Sequence, residues 1–172
     1  MLSSERIKLR AVEPEDLDLM YLIENDTRLW PVGTATTPFS AHSLRQFLAE
    51  THNDIYKDGQ LRLAIEGSDG IVKGFVDLQN FQPRHGRAEV GIVLLPEWQG
   101  DGLAHEALML LSEYASQHLA MHQLYALVAS SNTAAYDLFL HAGFVQSGCL
   151  ADWIRQGDEY GDAVVLQRIL GD

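Results

Sequence analysis

The segment Val90-Gly91-Ile92-Val93-Leu94-Leu95-Pro96-Glu97-Trp98-Gln99-Gly100-Asp101-Gly102-Leu103-Ala104 has the residue types and spacing to hold a ligand. An apolar run leads into a turn with two glycines, and a helical pattern follows. A turn of that kind leaves backbone N–H groups unpartnered, and the dipole of the following helix adds positive potential at the same place. A diphosphate would fit there. Gly100 and Gly102 let the backbone approach an anion with no Cβ in the way, and Ala104 keeps the first helical turn slim. The same residues also fit a plain helix entry with two turn glycines. Two other phosphate-binding patterns are excluded. A dinucleotide fingerprint needs a third glycine after a parallel strand, and no Gly-Lys-Ser/Thr follows to make a P-loop.

Other chemistry-bearing residues are sparse. His118 and His122 have an i, i+4 spacing, but the helical pattern ends between them and no third ligand is apparent, so no metal is expected. Cys149 is the only cysteine. An internal disulfide and a cysteine-rich metal site are therefore excluded, and Cys149 itself reads as a small buried hydrophobe. Trp30, Phe39, Trp153 and Tyr160 are candidates for lining a substrate pocket, or equally for core or subunit contacts.

The elements that must position these residues follow from pattern. Ile7 to Arg10 alternates as a strand, and Glu13-Pro14-Glu15-Asp16 opens a helix that runs to about Asn25. Trp30 to Phe39 is an irregular loop rich in breakers. Ser40 is the expected N-cap of a second helix ending near Tyr56. Leu61 to Ile65, Ile71 to Phe81 and Ala88 to Leu94 are separated by turn signals and form an antiparallel meander. Beyond Gln99, Ala104, Ala107, Leu108, Leu111 and Ala115 share one helical face. Leu124 to Val128 is a compact strand, Asn132 to Ala142 a helix stopped by Gly143, and two strands from Phe144 to Leu170 close the chain. The order is β-α-α-β-β-β-α-β-α-β-β, a mixed α/β layer in a single domain over residues 1–172.

Composition narrows the function classes. The chain has 172 residues, 47% hydrophobic and 21% charged, the balance of a folded globular domain. A formal net charge of −12 repels nucleic-acid phosphates and anionic membranes and attracts cations. Neither a nucleic-acid nor a membrane partner is expected. The N-terminus lacks the apolar core of a signal peptide and no stretch is long enough to span a bilayer, so a cytoplasmic protein is expected.

The whole arrangement resembles the GNAT superfamily of N-acetyltransferases. Gln99-Gly100-Asp101-Gly102-Leu103-Ala104 is similar to their Gln/Arg-x-x-Gly-x-Gly/Ala acetyl-CoA signature, and Ser131 to Phe144 resembles their second cofactor segment with its terminal Gly-Phe pair. From about Arg84 onward, Arg87-Ala88-Glu89, Leu94 with Pro96-Glu97 and the Gly157 to Asp162 turn resemble bacterial spermidine or diamine N-acetyltransferases and ribosomal-protein acetyltransferases. The resemblance implies a mostly antiparallel mixed sheet of six to seven strands flanked by about four helices. It implies acetyl-CoA as cosubstrate, a small-molecule amine or a protein N-terminal or lysine amine as acceptor, and a homo-oligomer; a non-catalytic acyl-CoA-binding sensor is the alternative.

Residue by residue, the resemblance implies that the backbones of Ile92, Val93 and Leu94 pair with the pantetheine arm as an added strand. Gln99, Gly100, Asp101, Gly102, Leu103, Ala104 and His105 would cradle the pyrophosphate. Asn132, with Ala135 and Phe139 on the helix after it, would contact the far side of the cofactor, although Asn132 also fits a helix N-cap. An alkylammonium acceptor titrates near about 10.4, so its neutral form costs about 4 kcal/mol at neutral pH. Glu89 is the candidate for binding that ammonium and taking its proton; it also fits a strand glutamate facing solvent. Three departures stand out, and the first weighs against a polyamine acceptor: Thr36-Thr37-Pro38-Phe39 stands where the spermidine enzymes carry an acidic pair before a Pro-aromatic step. The tyrosine that many members place four residues before the Gly of Gly-Phe is Phe139 here. Tyr136, one turn earlier, is the candidate replacement acid, or else a packing aromatic. Asp101 stands where relatives carry Lys or Arg, and its carboxylate should turn to solvent or cap the helix.

Overall fold

The computed structural model describes residues 2–29 and 37–171. Seven strands form one sheet in the order β1-β2-β3-β4-β5-β7-β6. Their ranges are β1 Ile7–Ala11, β2 Leu61–Gly67, β3 Val72–Gln82, β4 Arg87–Leu94, β5 Gln123–Ala129, β6 Val145–Gln156 and β7 Glu159–Ile169. Between them lie helices α1 Leu17–Glu24, α2 Ala41–Glu50, α3 Ile55–Asp58, α4 Leu103–Gln117 and α5 Thr133–His141. Every neighbouring pair is antiparallel except β4 and β5.

The second helix differs from expectation. Ser40 caps α2 by accepting from the Ser43 N–H, but α2 ends at Glu50. Asp54 then caps a separate turn, α3, by accepting from Tyr56, and Gly59 closes it at φ +70°. Two caps within one expected helix mean two helices. The expected loop from Trp30 falls mostly on residues 30–36, outside the described residues.

The helices lie where their apolar faces find the sheet. On α4, Ala107, Leu108, Leu111 and Ala115 are buried against β-strand residues such as Val76, Val90 and Leu124. Burying a leucine of this kind stabilises the fold by about 2 kcal/mol. A second cluster joins Met20 and Ile23 of α1 and Leu44 of α2 to Ala64 and Phe75 on the opposite face. This places α4 and α1 on opposite faces of β2 to β4 and leaves the end of β4 between them. Arg10, bridging Asp16 and Glu66, ties β1 and β2 to the start of α1.

Cys149 departs from its expected burial. It sits on β6, an edge strand whose residues are mostly exposed, and is itself exposed with Sγ 3.9 Å from Asp162 Oδ2. α5 meets this edge strand near its start, through Tyr136 and Gln146, and leaves Cys149 uncovered.

Candidate active site

The site begins where the sheet comes apart. Along its length β4 pairs with β3, matching Gly74 to Leu94, Phe75 to Val93 and Val76 to Ile92. On its other side it pairs with β5 only at Arg87, Ala88 and Glu89. Beyond Glu89 the two parallel strands share no further ladder pairs, and Ile92, Val93 and Leu94 present an unpaired edge on the β5 side. Such an edge can accept an extended ligand as an added strand.

A cleft of about 720 Å³ occupies this gap, a size suited to a large cofactor arm and a small substrate. At one end lie Gln99, Gly100, Gly102, Ala104 and His105, with Asn132, Ala135 and Phe139 of the α5 segment across from them. Gly100 and Gly102 have φ +88° and +80°, a region that side-chain-bearing residues rarely enter. A Cβ on Gly100 would meet nothing within 4 Å, so this part of the loop is open to an approaching group. Gly102 is the N-cap of α4 and offers no side chain to the first helical N–H groups. Those donors are left for an anion.

Three contacts brace this end. Gln99 donates from Nε2 to the Leu94 carbonyl at 2.9 Å. Arg6 donates to the Asp101 carbonyl at 2.9 Å and pairs with Glu106 at 2.6 Å, which places a cation from β1's approach beside the loop. Lys73 lies 3.4 Å from the Trp98 ring centroid and 2.6 Å from Asp69, pinning the turn just ahead of Gln99 by cation–π attraction. Sequence reading missed Arg6 and Lys73, because both act across the fold.

Not every expected cofactor residue faces the cleft. Asp101 is exposed and contributes its carbonyl to Arg6, and it does not cap α4. Leu103 is buried in the core beneath the helix entry. Asn132 is the N-cap of α5, accepting from the Ala135 N–H at 3.1 Å, and it also lines the cleft, so its two readings coexist.

At the other end the cleft is lined by Glu89, Asp77, Gln79, Arg62 and Glu24, with Ile23, Leu29, Phe39 and Ile154 as apolar walls. Arg62 joins Asp77 at 2.7 Å to Glu24 in one ion cluster. Burial would lower the Arg62 pKa, but the two carboxylates outweigh it and hold the guanidinium charged far beyond any ordinary pH. Glu89 accepts from Asn80 Nδ2 at 2.7 Å. Tyr125, its register partner on β5, has its phenol pKa raised, first by burial and then by the Glu89 charge.

Of the two readings of Tyr136, its placement supports the packing one. It does not line the cleft; its hydroxyl donates to Gln146 Oε1 at 3.0 Å, holding α5 to β6. Phe139 does line the cleft, buried and edge-on to Phe144 at 5.0 Å. Of the candidate pocket aromatics, Phe39 lines the cleft, whereas Trp153 and Tyr160 are more than half exposed and stand outside it. Trp30 lies outside the described residues.

An open β4 edge with a glycine loop and helix terminus at its end defines a site for a long anionic acyl carrier. The family described as acetyltransferase (GNAT) domain matches residues 6–145, and the chain belongs to that family. It is an acetyl-CoA-dependent N-acetyltransferase. Spermidine N(1)-acetyltransferase of Escherichia coli (strain K12) is 30% identical over 95% of this chain and 86% of its own. Among solved structures, spermidine N-acetyltransferase from Vibrio cholerae in complex with CoA and spermine superposes with TM-score 0.84 at 25% identity, covering 96% of each chain. A dodecameric structure of spermidine N-acetyltransferase from Vibrio cholerae in an intermediate state gives TM-score 0.81 at 25% identity over 96% of this chain and 95% of that one.

Proposed function

We propose that this enzyme acetylates a primary amine of a polyamine or diamine, with Glu89 receiving the acceptor. The observation that carries the reading is the continuity of one cleft from the glycine loop to Glu89, with the open β4 edge between them. The likeness to spermidine N-acetyltransferases, one of them bound to CoA and spermine, supports the same acceptor class. So does the charge of −12, which concentrates cations near the surface.

In this reading Ile92, Val93 and Leu94 hold the pantetheine arm by backbone hydrogen bonds, and the N–H groups after Gly100 hold the pyrophosphate. Glu89 binds the acceptor ammonium and removes one proton, directly or through a water. The neutral nitrogen then attacks the thioester carbonyl; a C–N bond forms, the nitrogen gives its second proton to solvent, the C–S bond breaks, and the sulfur leaves as thiolate. With Phe139 in the family's tyrosine position and the Tyr136 hydroxyl held by Gln146, solvent protonates the thiolate. A thiol with a pKa of about 8.5 is acidic enough for that. No covalent enzyme intermediate is needed. The reading also includes a homo-oligomer and a cytoplasmic setting, where a polyanionic cosubstrate that does not cross bilayers is made and used.

An amine panel that follows free CoA thiol release tests the proposal. Spermidine and short diamines should turn over best, and added salt should raise the acceptor KM. Faster turnover of basic N-terminal peptides would move the acceptor to proteins, and faster turnover of neutral or acidic amines would overturn the role of Glu89 as cation receptor.

A further inference from the structure

Glu89 is the last residue at which β4 still pairs with β5, so it stands where the cleft begins to open. Across β3 its register partner is Gln79, and between Gln79 and Gln82 the β3–β4 ladder slips by one residue. The extra residue in this bulge changes which way the side chains point. Phe81 goes inward, buried and edge-on to Tyr56 at 5.1 Å, with its N–H donating to the Gly59 carbonyl. Asn80 stays outside at φ +50°, a left-handed conformation that asparagine tolerates better than most residues. From there its amide reaches Glu89 Oε2 at 2.7 Å.

We propose that Asn80 is a positioning residue for Glu89: the bulge exists to bring its amide to one carboxylate oxygen and so fix the rotamer that the acceptor amine meets. This rests on Glu89 being the group that receives the acceptor. Tyr125 also reaches Glu89 by a side-chain hydrogen bond, from the β5 side, and Asn80 is the brace on the β3 side. The charged and titratable neighbours of Glu89 are Tyr125 on β5, Arg87 on its own strand, and the Arg62–Asp77–Glu24 cluster deeper in the cleft. Arg62 is committed to Asp77 and Glu24. A half-buried glutamate without its β3-side brace keeps rotamer freedom, and a hydrogen bond to its charged carboxylate is of the stronger kind. Asn80 touches neither the glycine loop nor the open β4 edge, so its effect should fall on turnover and not on cosubstrate binding.

Asn80→Gly is the test, because glycine accepts φ +50° without strain and deletes only the amide. Turnover should fall about tenfold, the size expected for losing a hydrogen bond to a charged group, with acetyl-CoA KM and melting temperature unchanged. Asn80→Asp, which sets a like charge beside Glu89, should lose at least as much. The double variant distinguishes the mechanisms: in a Glu89→Gln background, Asn80→Gly should cost less than about twofold, because a residue that acts only through Glu89 has nothing left to position. An unchanged kcat in Asn80→Gly, or losses that multiply in the double variant, would overturn the inference while leaving Glu89 in its role. A silent Glu89→Gln would remove the role of Glu89 itself.

Discussion

The two ends of the cleft are built by different means. The end proposed for the cofactor is made of backbone: an unpaired strand edge, two glycines at positive φ and the start of a helix. The end proposed for the acceptor is made of side chains gathered from α1, β2, β3 and β4 and from the segments around Phe39 and Ile154. Backbone recognition of a fixed cosubstrate depends on few side-chain identities. Side-chain recognition of an amine can be retuned by changing one residue at a time. The cofactor end should therefore resist substitution except at its glycines, and the acceptor end should be sensitive at each charged group.

Glu89→Gln should have the largest effect of any change in the cleft. Loss of a general base costs about 10²- to 10⁴-fold in kcat, and part should return at high pH, where the amine sheds its proton unaided. A pH–rate series on both proteins measures this, and a uniform loss at all pH values would make Glu89 a binding group only. Gly102→Val should come next, weakening acetyl-CoA at least tenfold by calorimetry, because valine is strained at φ +80° and would displace the loop backbone. Equal affinity in a folded variant would break the contrast between the two ends.

Asp16→Asn probes a place outside both ends and should alter stability alone. Burial would raise the Asp16 pKa, but hydrogen bonds from Arg10 and from the Glu13 N–H outweigh it and hold the carboxyl below its ordinary value. A depressed carboxylate stabilises the fold above its unfolded pKa of about 3.9, and that contribution disappears as pH falls through the lower folded value. Urea unfolding at pH 7 should show a loss of about 1 kcal/mol, discounted for the exposed side of Arg10. The difference between the two proteins should narrow below about pH 4. A change in either KM would connect this corner to the cleft. The smallest effect belongs to Tyr136→Phe, under about fivefold in kcat with acetyl-CoA affinity intact, since its hydroxyl serves Gln146. A larger drop would return Tyr136 to the acid role.

The same contrast explains what the sequence reveals. Gln99 to Ala104, the α4 face from Ala107 to Ala115 and the Asn132 and Gly143 stops of α5 are local patterns, and each is where it was expected. The GNAT resemblance rests on them, whereas the sheet order that sets β7 between β5 and β6 depends on long-range pairing and is not legible. The Arg62–Asp77 pair depends on the β2–β3 register, which sets Arg62 opposite Asp77, and the Asn80 bulge depends on the slip between β3 and β4. Neither leaves a periodic trace. The break between α2 and α3 had a local signal in Asp54 and Gly59, but a continuous helical reading passed over it. Cys149 misled because its type favours burial, whereas its place on an edge strand decides exposure.

The three register pairs that join β4 to β5 also bear on how the molecule comes apart. A sheet with a short seam resists opening within its two blocks, β1 to β4 and β5 to β7, more than between them. Native-state hydrogen exchange should report two groups of slow amides with separate opening energies, rather than one. A ligand laid along Ile92 to Leu94 would extend contact across the gap, so saturation with acetyl-CoA should slow the less protected block toward the rate of the other.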